Sequence, residues 1–139
     1  MKTKKFNDKI LVRIDKGEEI VEELTKIVKE NKITLGTITG LGATDKVKVG
    51  LFDVETKEYH ATELTGNYEI NPLYGIITTM DGETYLHLHI NVADEKHQSF
   101  GGHLNHAYVS ATFEGVIDII EGEVDRKFDE EIGLNLLEM

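Results

Sequence analysis

The segment Thr84–Val92 alternates without a break. Leu86, Leu88, Ile90 and Val92 fall on one parity, and Tyr85, His87, His89 and Asn91 on the other. Successive side chains of a strand point to opposite faces. This pattern therefore demands a strand with one aliphatic, buried side and one side of polar rings. Asp81-Gly82 lies just before it and is a strong two-residue hairpin signal, because the favoured turn needs positive φ at both central positions. Tyr68–Met80, bent at Pro72, supplies the partner strand. A chain organised around this hairpin is committed to antiparallel sheet.

The flanking segments extend the same sheet. Lys9–Ile14 reads as a strand. Asp15-Lys16-Gly17-Glu18-Glu19 then opens a helix, with acids where the helix dipole favours them. Ile20, Val21, Leu24, Ile27 and Val28 form one apolar stripe at helical spacing, and Asn31 is a C-terminal stop. Ile33–Thr39 is a strand ending at Gly40-Leu41-Gly42, whose glycines permit a tight turn. Lys46–Phe52, a turn at Asp53–Thr56, and Lys57–Leu64 make a second hairpin. Ala93–Gly102 reads as a polar loop, followed by strands at Ala107–Phe113 and Gly115–Ile120. The acidic tail 121–139 carries Phe128, Ile132, Leu134 and Leu137, which are available to dock it. The expectation is one α+β domain over 1–139, with a core over about 10–120. It should hold an antiparallel-rich sheet of about seven strands and one principal helix.

Charge limits the partners. The 139 residues carry a formal charge of −11, which opposes binding to phosphate backbones and anionic lipid. Residues 1–16 depart from this, with six cations against two acids, and read as a solvated basic tail leading into the first strand. No cysteine is present, which removes disulfides, thiolate ligands and thiol nucleophiles together. That fits a cytoplasmic location. No apolar run approaches the ~20 residues of a membrane span, and no secretory leader is evident.

The six histidines carry the chemistry. His87 and His89 sit two apart on one strand face, close enough to share a metal ion. Gly101-Gly102-His103 follows after a short segment. The glycines permit a sharp bend that would fold His103 over the pair. Three neutral imidazoles with an open position make a divalent-metal site. Zinc is the first expectation, and imidazole equally suits iron, nickel and copper. His106 is a candidate fourth ligand or supporting partner, His97 reads as solvated, and His60 has no assigned role. Asp94, Glu114 and Asn91 are candidates to orient the ligating rings. Nothing in the Gly40-Leu41-Gly42 segment amounts to a phosphate-binding loop, since no P-loop lysine or dinucleotide fingerprint accompanies it.

The order of several short motifs resembles the plants-and-prokaryotes conserved domain, called PPC or PCC, in its stand-alone prokaryotic form. The motifs are Arg13 with Gly17-Glu18-Glu19, Gly40-Leu41-Gly42-Ala43, Val49-Gly50-Leu51-Phe52-Asp53, Tyr59 and Gly66-Asn67-Tyr68-Glu69-Ile70. Gly75, Asp81-Gly82, His87-Leu88-His89, Gly101-Gly102-His103-Leu104 and Glu114 complete the set. The resemblance implies a compact α/β domain assembling as a homotrimer, with a metal at His87, His89 and His103 in some members. Stand-alone members are commonly called putative DNA-binding proteins, by analogy with plant members that also carry AT-hooks. This chain has no Arg-Gly-Arg core, and Arg13 and Arg126 are its two arginines. Where plant members have Arg-Phe-Glu, it has Asn67-Tyr68-Glu69.

Two functions follow as expectations. The first is a homotrimeric binding module with a three-histidine metal, associated with DNA or transcription by family analogy. The second is a small metalloenzyme of hydrolytic or lyase type, with Glu69, Glu83 or Glu114 as general base.

Overall fold

The computed structural model describes residues 1–139. Eight strands and one helix follow in the order β1 (Lys2–Phe6), β2 (Lys9–Asp15), α1 (Ile20–Glu30), β3 (Gly36–Phe52), β4 (Tyr59–Met80), β5 (Glu83–Ala93), β6 (Ser99–Ile119), β7 (Arg126–Asp129) and β8 (Leu134–Leu137). The first six strands form one sheet in the order β1-β2-β6-β3-β4-β5, antiparallel throughout. β6 also pairs with β5, so β3, β4, β5 and β6 close on themselves. β7 and β8 make a separate hairpin. The α+β class, the antiparallel sheet and the single helix agree with the sequence pattern; the strand count is eight rather than about seven.

Helix α1 forms for local reasons. The Glu19 carboxylate caps its first turn by accepting the Glu22 N–H at 2.7 Å, and it also accepts the Ala107 N–H of β6. At the other end the Asn31 amide donates to the Ile27 carbonyl at 2.9 Å. Ile20, Leu24, Ile27 and Val28 are buried against β5 and β6. The opposing layer is the apolar parity of the strands: Ile10, Val12 and Ile14 of β2, Leu88, Ile90 and Val92 of β5, and Phe113 and Ile117 of β6. Each such side chain contributes about 1.5–3 kcal/mol of transfer free energy. The helix thus consumes one face of the sheet and leaves the histidine parity on the other.

Four boundaries differ from the sequence expectation. The basic N-terminus is not a solvated tail: Lys2–Phe6 pairs with β2 through a two-residue turn in which Asn7 takes positive φ. Gly40-Leu41-Gly42 does not end a strand. It lies inside β3 at a register shift, where the Phe113 ring fills the space a side chain at position 40 would need. The expected strands Lys57–Leu64 and Tyr68–Met80 merge, from Tyr59 onward, into one long strand, β4, whose pairing with β5 skips Asn71 and Pro72. Proline has no N–H to give to a ladder, which accounts for the gap. The predicted loop Ala93–Gly102 shrinks to residues 94–98, with Asp94 accepting the Lys96 and Gln98 N–H groups and His97 exposed in the turn. The turn at Asp81-Gly82 is as expected, with φ of 52° and 78°.

Candidate metal centre

His87 and His89 project from the outer face of β5, and His103 lies directly opposite His89 on β6. Ring centroids are 5.0 Å apart for His87–His89, 5.5 Å for His87–His103 and 5.7 Å for His89–His103. One nitrogen from each ring lies within 4.8 Å of the other two. A tetrahedral ion with ~2.0–2.1 Å bonds holds its nitrogens about 3.3 Å apart. Small rotations about χ1 and χ2 close that gap.

The glycines achieve this by a different route from the bend expected of them. Gly101 and Gly102 are in-register members of β6, opposite Asn91 and Ile90. A Cβ at position 102 would come within 2.7 Å of the Gly50 carbonyl, and one at 101 within 2.7 Å of the Ile90 carbonyl. They let three backbones approach closely, and the third imidazole arrives by cross-strand register.

Burial tunes two of the rings. Desolvation pushes His87 down to about 4, helped by His89, the Arg126 charge and His103. The same desolvation, with His89, lowers His103. Both rings are therefore neutral with free lone pairs at neutral pH, the state a metal requires.

The rings form the floor of a cavity of about 1050 Å³. Its walls come from Val49, Leu51 and Phe52 of β3, Ile76 of β4, and Leu134, Leu136 and Leu137 of β8. The acidic tail thus docks as the hairpin β7–β8, which roofs the histidine face. The apolar residues of this tail are evident in the sequence; their target is not. Tyr59 packs edge-on to His103 at 6.2 Å and donates its hydroxyl to Asn105 Oδ1 at 2.6 Å. Arg126 also lines the cavity and lies over the Tyr85 ring at 4.7 Å. Asn105 was within reach of the alternation rule, two residues from His103. The approach of Tyr59 and Arg126 depends on long-range packing that leaves no local signal.

Other candidates lie elsewhere. His106 is paired with Glu63 at 2.9 Å and takes no part in the cluster. His60 reaches the cavity rim, exposed beside Glu58. Asp94 closes its own turn, and Asn91 turns to the Asn71 carbonyl, so neither orients the rings. Glu114 stands between Arg13 and Leu41 on the far half of β6. Glu69 faces Ala43 and Ala93, and Glu83 sits at the hairpin opposite Met80. No carboxylate lines the cavity, so none of the three expected general bases is placed to act there.

The model of the Plants and Prokaryotes Conserved (PCC) domain matches residues 1–121. No curated protein matches the chain. Among solved structures, a putative DNA-binding protein from Bacteroides thetaiotaomicron is 32% identical, with 99% of this chain and 96% of that one covered and a TM-score of 0.96. A plant- and prokaryote-conserved protein from Pyrococcus horikoshii is 30% identical over 99% of this chain and 94% of that one, with a TM-score of 0.86. A metal-containing protein from Archaeoglobus fulgidus is 30% identical over the full length of both chains, with a TM-score of 0.87. The fold alone is also shared, at 17% identity and a TM-score of 0.58, with α-acetolactate decarboxylase from Bacillus subtilis, covering 88% of this chain and 57% of that one. With the family match spanning the sheet, the helix and all three clustered histidines, the chain belongs to the Plants and Prokaryotes Conserved domain family.

Proposed function

We propose that this protein is a metal-binding PCC-domain module in which His87, His89 and His103 hold one divalent cation. The observation that carries this reading is the convergence of three imidazole nitrogens, two from rings kept neutral by burial, at the base of a cavity. The metal-containing relative from Archaeoglobus fulgidus supports it. Zinc suits the donor set best, with iron, nickel and copper compatible. A three-histidine ion would leave a coordination position toward the cavity and would supply Lewis acidity there. Leu134, Leu136 and Leu137 of β8 cover the histidine face with apolar side chains. Elemental analysis of the purified chain and of a His87→Ala/His89→Ala variant tests the assignment.

Self-association is the second part of the proposal. Cross-strand register aligns Leu11, Val116, Thr39 and Tyr74 in one row that leads to His89. Leu11 is 52% exposed and Tyr74 53%, with Leu41 beside them at 61%. An apolar outer row of this kind is a surface for another subunit, and a head-to-tail contact that closes after three copies gives the trimer the family resemblance implies. Sedimentation equilibrium at three times the 15.7 kDa chain mass is the expected result; a monomer at micromolar concentration contradicts it.

The charge distribution speaks against nucleic acid as the main partner. Lys9 is held by Asp118 at 2.9 Å and Arg13 by Asp15 at 2.9 Å, leaving Lys2, Lys4 and Lys5 of β1 and Lys16 beyond β2 as the unpaired cations of the basic segment. At most four phosphate contacts give a log K against log salt slope of about −3.6. A gel-shift series across salt, with and without residues 1–9, is expected to show weak binding lost near physiological salt.

The alternative, a metalloenzyme, is favoured by the size of the cavity over the rings. The lack of a lining carboxylate leaves hydrolysis without a protein general base. Lyase chemistry that relies on the metal alone fits the lining better.

A further inference from the structure

Arg126 is the one charged side chain in the cavity lining, and it is 7% exposed. Its Nε donates to Thr78 Oγ1 at 2.8 Å and one terminal nitrogen donates to the Asn135 carbonyl at 2.9 Å. Its plane lies over Tyr85 at 4.7 Å. No carboxylate comes within ion-pair distance of it, although the protein carries 26 acidic residues. The acids flanking it are turned away: Asp125 and Glu123 both accept from Thr79 Oγ1. A buried guanidinium with no counter-charge is costly and is ordinarily paired. Two neutral hydrogen bonds and one aromatic face leave most of its five donors unused and its charge without an anionic partner.

We propose that Arg126 is the recognition element for an anionic ligand, a small organic carboxylate with an apolar body, bound in the cavity over the three histidines. The planar fork suits a carboxylate bidentately. The walls, from Val49, Leu51, Ile76, Leu134 and Leu136, suit a short aliphatic chain and disfavour a polyanion such as a nucleotide. A metal at the histidines favours acids with a second oxygen beside the carboxylate, the 2-oxo and 2-hydroxy acids, because hard oxygen donors fill an open position. This last preference rests on the metal reading; the carboxylate assignment to Arg126 does not. Arg126 also ties β7 to Thr78 and to β8, so a ligand held there would lock the roof hairpin down.

The test uses 4-methyl-2-oxopentanoate as probe, with its neutral amide and inorganic phosphate as controls. Titration calorimetry is done on the metal-loaded and the metal-stripped full chain. The expected result is saturable binding of the acid in both forms, stronger with metal, and weaker binding of the amide and of phosphate. Arg126→Gln is expected to weaken the acid by about 10- to 100-fold while leaving metal content and amide binding unchanged, and Arg126→Lys to restore part of the loss. If Arg126→Gln does not fold, the wild-type melting temperature decides: it rises with the acid and not with the amide. Equal binding of acid and amide, or an unchanged affinity in Arg126→Gln, overturns the proposal. Binding that needs Arg126 but is no stronger with metal upholds the carboxylate assignment and removes the preference for 2-oxo and 2-hydroxy acids, whereas a metal-replete protein indifferent to the acid overturns the proposal and leaves the metal reading standing.

Discussion

His89 and His103 face each other across the β5–β6 ladder as a direct register pair, with ring planes at 87° and centroids 5.7 Å apart. The site therefore depends on strand register, and a one-residue slip of β6 would carry His103 to the buried face. His106 lies off this row and is occupied by Glu63. His106→Ala is expected to leave metal content unchanged and to shift thermal stability slightly, whereas His103→Ala loses the metal. Elemental analysis of the two variants side by side checks this.

Close packing of three strands sets the register. Gly102→Ala would drive a methyl to within 2.7 Å of the Gly50 carbonyl, and backbone cannot swing aside as a side chain can. The expected cost is about 1–3 kcal/mol, read as a lowered urea midpoint, with metal affinity reduced as β6 is displaced from β3.

The aliphatic face of β5 anchors the same strand from below. Leu88, 2% exposed, lies between the two ligating positions in sequence and points into the core. Leu88→Ala is expected to destabilise the protein by about 2–5 kcal/mol. Chemical denaturation measures it, and a loss under 1 kcal/mol (about fivefold in the folding constant) would show that the strand does not rest on this contact.

Acid sensitivity of the metal-free protein follows from His87. In the unfolded chain this ring takes up a proton near its ordinary 6.5; in the folded chain it resists until about 4. Between those values the unfolded state binds more protons, so stability is lost as pH falls through that window. His103, lowered by the same burial, acts in the same direction. Urea midpoints of the wild type should decline between about pH 6.5 and 4, and those of His87→Asn should decline less. Parallel curves would show that His87 is not held neutral.

The elements legible in the sequence were those specified locally. Alternation over Thr84–Val92, the Asp81-Gly82 turn and the stripe Ile20–Val28 each needed a single segment to be read, and each matches the structure. The pair His87–His89 followed from the same alternation. What escaped was whatever depends on contacts distant in sequence. Gly40 and Gly102 look like turn residues in isolation; they are instead places where Phe113 and the Gly50 backbone press close. The β7–β8 hairpin has too few residues to announce itself, and its place over the histidines is set by Arg126 reaching Thr78, 48 positions away. Tyr59 meets His103 only because β3 carries it there through the Phe52–Tyr59 pairing.

Metal content per chain, measured by elemental analysis on protein prepared in metal-replete medium, bears most directly on the three-imidazole centre. The wild type is expected to hold one divalent ion per chain and the His87→Ala/His89→Ala variant none. A wild type without metal, or a double variant that keeps it, contradicts the account.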